Sequence, residues 1–215
     1  MTTPTLEEQP LPPAEYQIYA VGFDSYAQTW SSWDIVGMAE QKYDEKGFVT
    51  ALDIGSTPIT LGDSHLFSRG LAIGTIPEEP FNNIDYIEGD IGMQETWEST
   101  RTWTLDNNIE GFDFAFFRPL GGVDSISEVA VIKTITEGIN LLNEDGHFFG
   151  HLYLDRINSH SSEVRMFLEK AKAISPEGLS IDFHIDKVAQ ALTYHIHREK
   201  VTPNQKQELL LASFT

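Results

Sequence analysis

Residues 51–63 read ALDIGSTPITLGD. An apolar run of strand length leads into Asp53 and Gly55, and Thr57 followed by Pro58 has the form of a helix N-cap with proline at the first helical position. A continuous apolar strand that turns through glycine into a helix is the opening unit of a mostly parallel α/β sheet covered on both faces. The turn then lies beyond the carboxyl end of the strand, the edge where such sheets take their ligands.

Upstream of this stretch, SYAQTWSSWDIVGMAEQKYDEKG sets Tyr26, Trp30, Trp33, Val36 and Tyr43 at spacings of three, four and seven, with Gly47 as a stop, which predicts one amphipathic helix. Downstream, a short helix running toward Phe67 precedes GLAIGTI as a second strand, PEEPFNN as punctuation and IDYIEGD as a third strand. MQETWESTRTWTLDNN predicts a helix with Met93, Trp97, Arg101 and Leu105 along one face, and FDFAFF a fourth strand. In DSISEVAVIKTITEGINLL, Ser125 and Glu128 stand in capping-box relation, and Ile126, Val129, Ile132, Ile135, Ile139 and Leu142 recur at helical intervals. HFFGHLYL reads as a fifth strand, SSEVRMFLEKAKAI as a helix burying Val164, Phe167, Leu168 and Ala171, and LSIDFHI with QALTYHIH as an antiparallel pair. The alternation predicts a Rossmann-like, doubly wound, mostly parallel sheet with a terminal antiparallel strand pair.

A length of 215 residues suits one domain, expected over 16–200, between a loose tail over 1–15 and a helical tail over 201–215 with apolar residues at 209, 210, 211 and 214. Fourteen Lys and Arg against 33 Asp and Glu give a formal charge of −19, which repels polyanions and favours a small molecule or a protein over RNA as partner. The absence of cysteine removes disulfides, thiolate metal sites and cysteine nucleophiles. The acidic, proline-bearing start has no basic n-region or apolar core of a leader, and no run of 18 apolar residues occurs, so the expectation is a cytoplasmic chain without a membrane span. Homo- and hetero-oligomers are equally compatible with the sequence.

Four strand-end loops are candidates for a site: Asp53 to Pro58, Thr75 to Glu79, Gly89 to Ile91 and Arg118 to Gly122. A nucleoside ligand at this edge needs approachable backbone at the first loop, a polar partner for ribose after the second strand and a hydrogen-bonding residue for the base after the third. Asp53, Thr75 and Asp90 fall at those places.

LDIGS at 52–56, EGD at 88–90, FDFAFF at 112–117 and LLNEDGHFFG at 141–150, in this order, resemble class I S-adenosylmethionine-dependent methyltransferases over residues 25–197. Within that superfamily DIGSTP resembles the Asp-Leu-Gly-Ala-Ala-Pro-Gly loop of FtsJ-like ribose 2′-O-methyltransferases, and IPEEPFNNIDYIEGD their proline-containing connection in place of a full helix. The resemblance implies S-adenosylmethionine as cofactor, held by Asp53, Gly55, Ser56, Thr57, Pro58, Thr75, Ile76, Asp90 and Ile91. Departures accompany it. Ile59 and Thr60 stand where the family has Gly-Gly, and Thr75 where the wider superfamily is often acidic. Of the Lys-Asp-Lys-Glu tetrad none is kept: Trp33 or Asp34, Arg118, His151, and Thr193 or Tyr194 take the places. Arg118 and His151 are then the candidate catalytic residues, the arginine for an acidic substrate or phosphate and the imidazole as a base. Two readings stay open, a divergent transferase and a catalytically inactive regulatory or scaffolding relative.

His195 and His197 alternate on one strand, but two ligands without a third do not make a zinc site, and they read as surface histidines; no metal is expected. Trp30, Trp33, Trp97 and Trp103 have the spacing of core residues rather than of a base-stacking platform.

Overall fold

The structure, a computed structural model, describes residues 22–118, 127–153, 161–174, 178–186 and 191–199. Its helices are α1 (Phe23–Ala27), α2 (Ile35–Lys46), α3 (Pro58–Gly62), α4 (Gln94–Asp106), α5 (Glu128–Asn140) and α6 (Ser161–Ile174). Its strands are β1 (Thr50–Ile54), β2 (Arg69–Gly74), β3 (Ile84–Glu88), β4 (Phe112–Phe117), β5 (Leu142–Tyr153), β6 (Leu179–Asp186) and β7 (Ala191–Arg198). The seven strands form one sheet in the order β3-β2-β1-β4-β5-β7-β6. β1 to β5 pair in parallel, whereas β7 runs antiparallel to β6, as the sequence pattern anticipates, and also to β5.

Every residue of β1 and of β4 is buried, because helices cover both faces of the central strands and alternation of polar and apolar side chains is not needed there. One face carries a core of Tyr26, Trp30, Leu61, Phe67, Phe114, Phe116 and Phe149 with α1, α2 and α3; the other packs Leu52, Ile73, Trp97, Phe117, Ile135 and Leu168 with α4, α5 and α6. Trp30 and Trp97 are wholly buried core residues, Trp33 and Trp103 partly so. Because β1 is flanked by β2 on one side and β4 on the other, the strand order reverses there, and the carboxyl ends of β1 and β4 border the crevice of a doubly wound sheet.

The single helix expected over Tyr26 to Tyr43 is broken. Between α1 and α2 lie a 3-10 turn over Gln28–Trp30 and a stretch that ends at Asp34, whose Oδ1 accepts the Gly37 N–H at 3.0 Å as the N-cap of α2. The break falls after Trp30, so Tyr26 and Trp30, four residues apart, share one face, from which Tyr26 reaches Asp53 of β1 and Trp30 donates from Nε1 to the Gly150 carbonyl at 2.9 Å. Gly47, at φ +68, ends α2 in the left-handed conformation, as anticipated. The helix after Pro58 stops at Gly62, short of Phe67.

Two helical faces were misassigned by apolar spacing. α4 buries Thr96, Trp97, Thr100 and Thr104, and leaves Leu105 76 % exposed; Met93 precedes the helix and is 57 % exposed. Its threonines face inward because each hydroxyl of Thr100 and Thr104 is satisfied by a carbonyl one turn back. In α5, Val129 is 76 % exposed, and the N-cap is Ser127, whose hydroxyl accepts the Ala130 N–H at 3.2 Å; Ser125 and Ile126 lie outside the described residues. The tails over 1–15 and 201–215 and the loop residues 119–122 also lie outside them. Among the described residues no helix is long and apolar enough to cross a membrane.

Candidate functional site

Asp53 is the penultimate residue of β1, between Ala72 of β2 and Phe116 of β4, and is fully buried. Tyr26 of α1 donates from Oη to Asp53 Oδ1 at 2.7 Å, while Asp53 Oδ2 has no hydrogen-bond partner. Burial pushes the Asp53 carboxyl up to about 7, and the Tyr26 hydrogen bond, the nearby Ser56 hydroxyl and the positive charge of Arg118 only partly oppose it. The Ser56 hydroxyl is close enough to be felt but lies outside hydrogen-bond geometry with Oδ2. Burial, then the charge of Asp53, holds Tyr26 well above the usual tyrosine range.

The chain leaves β1 through Gly55, at φ +81, a left-handed conformation that suits glycine, and the N–H groups of Gly55 and Ser56 both reach the Ile73 carbonyl, at 2.7 and 3.2 Å. Ser56 is buried, with its Oγ 3.5 Å from Thr60 Oγ1. Thr57 is extended at the N-cap of α3 with Pro58 next, as the sequence indicates, but its hydroxyl makes no capping bond and its Oγ1 is buried without a partner. Two orphaned polar atoms, Asp53 Oδ2 and Thr57 Oγ1, therefore belong to one strand-to-helix loop.

Thr75 and Ile76 follow β2 and are exposed, with the Ile76 carbonyl accepting from Tyr86 Oη at 2.5 Å. A Cβ at Gly74 would stand 2.7 Å from Tyr86 Oη and 2.9 Å from the Ser56 carbonyl, so the loops after β1 and β2 approach as closely as they do only because residue 74 is glycine. Gly89 N–H donates to the Gly74 carbonyl at 2.8 Å and ties in the loop after β3. There Asp90 is exposed and accepts the Gly92 N–H at 2.8 Å, and Ile91 is buried with its carbonyl bonded to Trp97 Nε1 at 2.8 Å.

Arg118, directly after β4, places its guanidinium over the Tyr26 ring, 5.6 Å from its centroid, and its Nε is buried without a hydrogen-bond partner. His151, near the end of β5, is buried, and burial followed by the Arg118 charge drives its imidazole down to about 4. Asp53, Arg118 and His151 are thus brought into one electrostatic cluster, and the sequence-level candidates of the second and third loops line the neighbouring strand ends. Tyr26 is the member that sequence reasoning missed: its spacing marks it as core, and nothing local signals a hydroxyl aimed at an aspartate 27 positions away.

Of the other residues that the sequence resemblance set against the tetrad, Asp34 is spent on its cap, Trp33 packs on Phe149 and His195, and Thr193 pairs with His151 across β5 and β7. Tyr194 faces the other way, packed over Gly150. His195 and His197 are half-buried rather than surface residues. They stack with His147 on a single face; His147 Nδ1 and His195 Nε2 are 3.0 Å apart, and His197 Nε2 lies 2.9 Å from Asp145 Oδ1. Among the described residues no group of three His, Cys, Asp or Glu is arranged to hold a metal ion.

An open cleft of about 970 Å³ lies at the opposite, amino edge of the strands, bordered by Lys46, Thr50, Asn107, Asp113, Asn143 and Arg198. Its buried acid, Asp113, is saturated by Lys46, Thr50 and Asn143, so the cleft presents no unmet polar group of the kind found at Asp53.

The fold recurs in solved structures. A putative rRNA methylase from Clostridium thermocellum superposes with a TM-score of 0.52 at 14% identity, over 76% of this chain and 96% of that one. The fold is that of class I methyltransferases. A TehB-like SAM-dependent methyltransferase from Corynebacterium glutamicum shares the methyltransferase fold at TM-score 0.50 and 16% identity, over 82% of this chain and 97% of its own. MycE methyltransferase of the mycinamycin biosynthetic pathway, in complex with Mg and SAH, does so at TM-score 0.51 and 11% identity, over 87% of this chain and 54% of its own. No family model and no curated protein matches the sequence. At these identities the likeness concerns the methyltransferase fold.

Proposed function

We propose that the protein binds S-adenosylmethionine at the carboxyl ends of β1, β2 and β3 and acts as a divergent methyltransferase related to the FtsJ-like branch. The observation that carries this reading is the pair of orphaned buried atoms, Asp53 Oδ2 and Thr57 Oγ1, on the loop after β1. Leaving a buried polar group unmade costs roughly 1–3 kcal/mol, and a partner from outside the chain recovers it. A cationic, hydrogen-bond-donating ligand suits a carboxylate whose charge burial opposes.

The residues present fit the cofactor in kind. Asp53 would hold its ammonium, Thr57 its carboxylate end, Thr75 its ribose hydroxyls, and Asp90 with Ile91 and Ile76 its base, on loops that Gly55 and Gly74 allow to converge. When bound, the cofactor supplies an electrophilic methyl group on a sulfonium centre. The chain's own part is to bind, orient and exclude water. With an imidazole held near 4, His151 is neutral at physiological pH but a weak proton acceptor, so the reading favours an acceptor atom that is nucleophilic without prior deprotonation. The same low basicity, with Ile59 and Thr60 in place of two glycines, supports a second reading, a regulatory or scaffolding relative that keeps the cofactor and not the chemistry.

Isothermal titration with S-adenosylmethionine and S-adenosylhomocysteine tests the binding. The expected outcome is micromolar affinity that Asp53→Asn weakens roughly 10- to 100-fold, the worth of one charge-assisted hydrogen bond. No heat from either ligand with well-folded protein overturns the cofactor reading. Bound S-adenosylmethionine with no methyl transfer to any acceptor class selects the second reading over the first.

A further inference from the structure

Neither the fold nor the cofactor accounts for Arg118. In a chain with 33 acidic and 14 basic residues, a half-buried cation ordinarily finds a carboxylate. Lys42 pairs with Asp145, Lys46 with Asp113, Arg69 with Asp85 and Arg101 with Glu137. Arg118 forms no ion pair with a described residue. The carboxylate that feels its charge, Asp53, is turned to Tyr26 Oη, and the guanidinium rests instead on the Tyr26 ring with its Nε buried and unbonded. His151 adds no second cation, since burial keeps it neutral.

We infer that Arg118 anchors an oxyanion, a carboxylate or a phosphate, carried by a small molecule at the carboxyl edge of β4 and β5. The guanidinium is a planar fork that matches such groups bidentately, and stacking on Tyr26 fixes its plane while leaving its rim of N–H donors for a ligand. Its place immediately after β4, beside His151, is on the ligand edge of the sheet. A net charge of −19 disfavours a long polyanion, whose many phosphates meet the field of the whole surface, whereas a small anion meets only its local cation. As an assignment of the acceptor substrate's class this rests on the transferase reading above; the anion site itself does not.

The test is a titration of the full-length, 15N-labelled protein with inorganic phosphate and, separately, malonate, at constant ionic strength, with and without S-adenosylhomocysteine. The reporter is the Arg118 Nε–H resonance, identified by its loss in Arg118→Lys. A saturable shift, with a dissociation constant on the order of millimolar for a fragment of this size, is expected from one of the two anions, and which one responds tells carboxylate from phosphate. Arg118→Lys weakens that binding at least about tenfold, read from neighbouring backbone amides, because a single ammonium does not reproduce the fork. Arg118→Met abolishes it while the backbone amide spectrum of the folded protein persists. An Arg118 signal that stays fixed with both anions, or equal anion affinity in Arg118→Met, overturns the inference. If the anion binds and S-adenosylhomocysteine does not, the transferase reading fails and the anion site stands; if only S-adenosylhomocysteine binds, the reverse holds.

Discussion

Asp113 and Asp53 are both buried aspartates on central strands, one at the amino edge of the sheet and one at the carboxyl edge, and the chain treats them oppositely. Asp113 accepts from Lys46 Nζ at 2.5 Å, Thr50 N–H at 3.0 Å, Thr50 Oγ1 at 3.2 Å and Asn143 Nδ2 at 3.1 Å. Asp53 accepts one good hydrogen bond, from Tyr26, and keeps an oxygen without any. A buried charge is costly unless paired and bonded, so the first arrangement serves to lock β1, β4 and β5 together, and the second is retained at a cost in stability. Acids that close a fold and acids left with an unmet bond are thereby separated by what surrounds them, since both stand in strands of unbroken burial.

The largest expected effect lies at the amino edge. Asp113→Ala strips partners from Lys46, Thr50 and Asn143 at once and lowers unfolding free energy by about 3 kcal/mol in urea titrations, the lower end for a buried pair because Lys46 is half-exposed. Asp53→Asn, by contrast, removes a charge whose burial is only partly compensated, and at pH 7 it raises stability, by on the order of 1–2 kcal/mol. Equal losses in the two variants would erase the distinction between the edges.

Acid sharpens the comparison. His147, His151 and His195, driven mainly by burial to about 3, 4 and 4 from an ordinary value of 6.5, stay neutral in the folded state while the unfolded chain takes up protons. Their contribution is complete above pH 6.5 and is lost as the pH falls toward 4. Asp53 acts in the opposite sense. With its folded value near 7 against 3.8, it holds a proton that the unfolded chain has released, so its contribution is complete below 3.8 and is lost as the pH rises to 7. Between pH 5 and 6 three imidazoles oppose one carboxyl, and unfolding takes up close to two protons, rising to about three in Asp53→Asn. The slope of unfolding free energy against pH measures both; an unchanged slope in the variant would mean that Asp53 does not titrate in this window.

The smallest effect belongs to Thr57→Val. The hydroxyl it removes has no partner, so stability is expected to rise by up to about 1 kcal/mol, seen as a higher Tm, while cofactor affinity drops. A loss of stability would mean that the hydroxyl is bonded in the free protein.

Much of the ligand edge was legible in the chain itself. The burial of β1, the turn at Gly55, Pro58 at the start of α3, and the ends of β2, β3 and β4 all follow from local apolar runs and the punctuation between them. Where sequence reading failed, the reason was tertiary. Leu105 and Val129 have apolar spacing but no facing surface, while the threonines of α4 do. Apolar periodicity reports which residues share a face, and only packing decides which face is covered.

At the site the same division holds. Asp53, Arg118 and His151 were identifiable as candidates from their places near the end of β1, after β4 and near the end of β5, because strand ends in a doubly wound sheet converge on one edge whatever the side chains. That His151 is a weak base, that Asp53 leans on Tyr26, and that Arg118 forms no ion pair with a described residue depend on burial and on contacts between residues far apart in the chain. The sequence by itself determined the order of strands and helices, since that order is written in local periodicity; the charge and the unmet bonds of the site were decided by the tertiary structure, since desolvation and hydrogen bonding act through space.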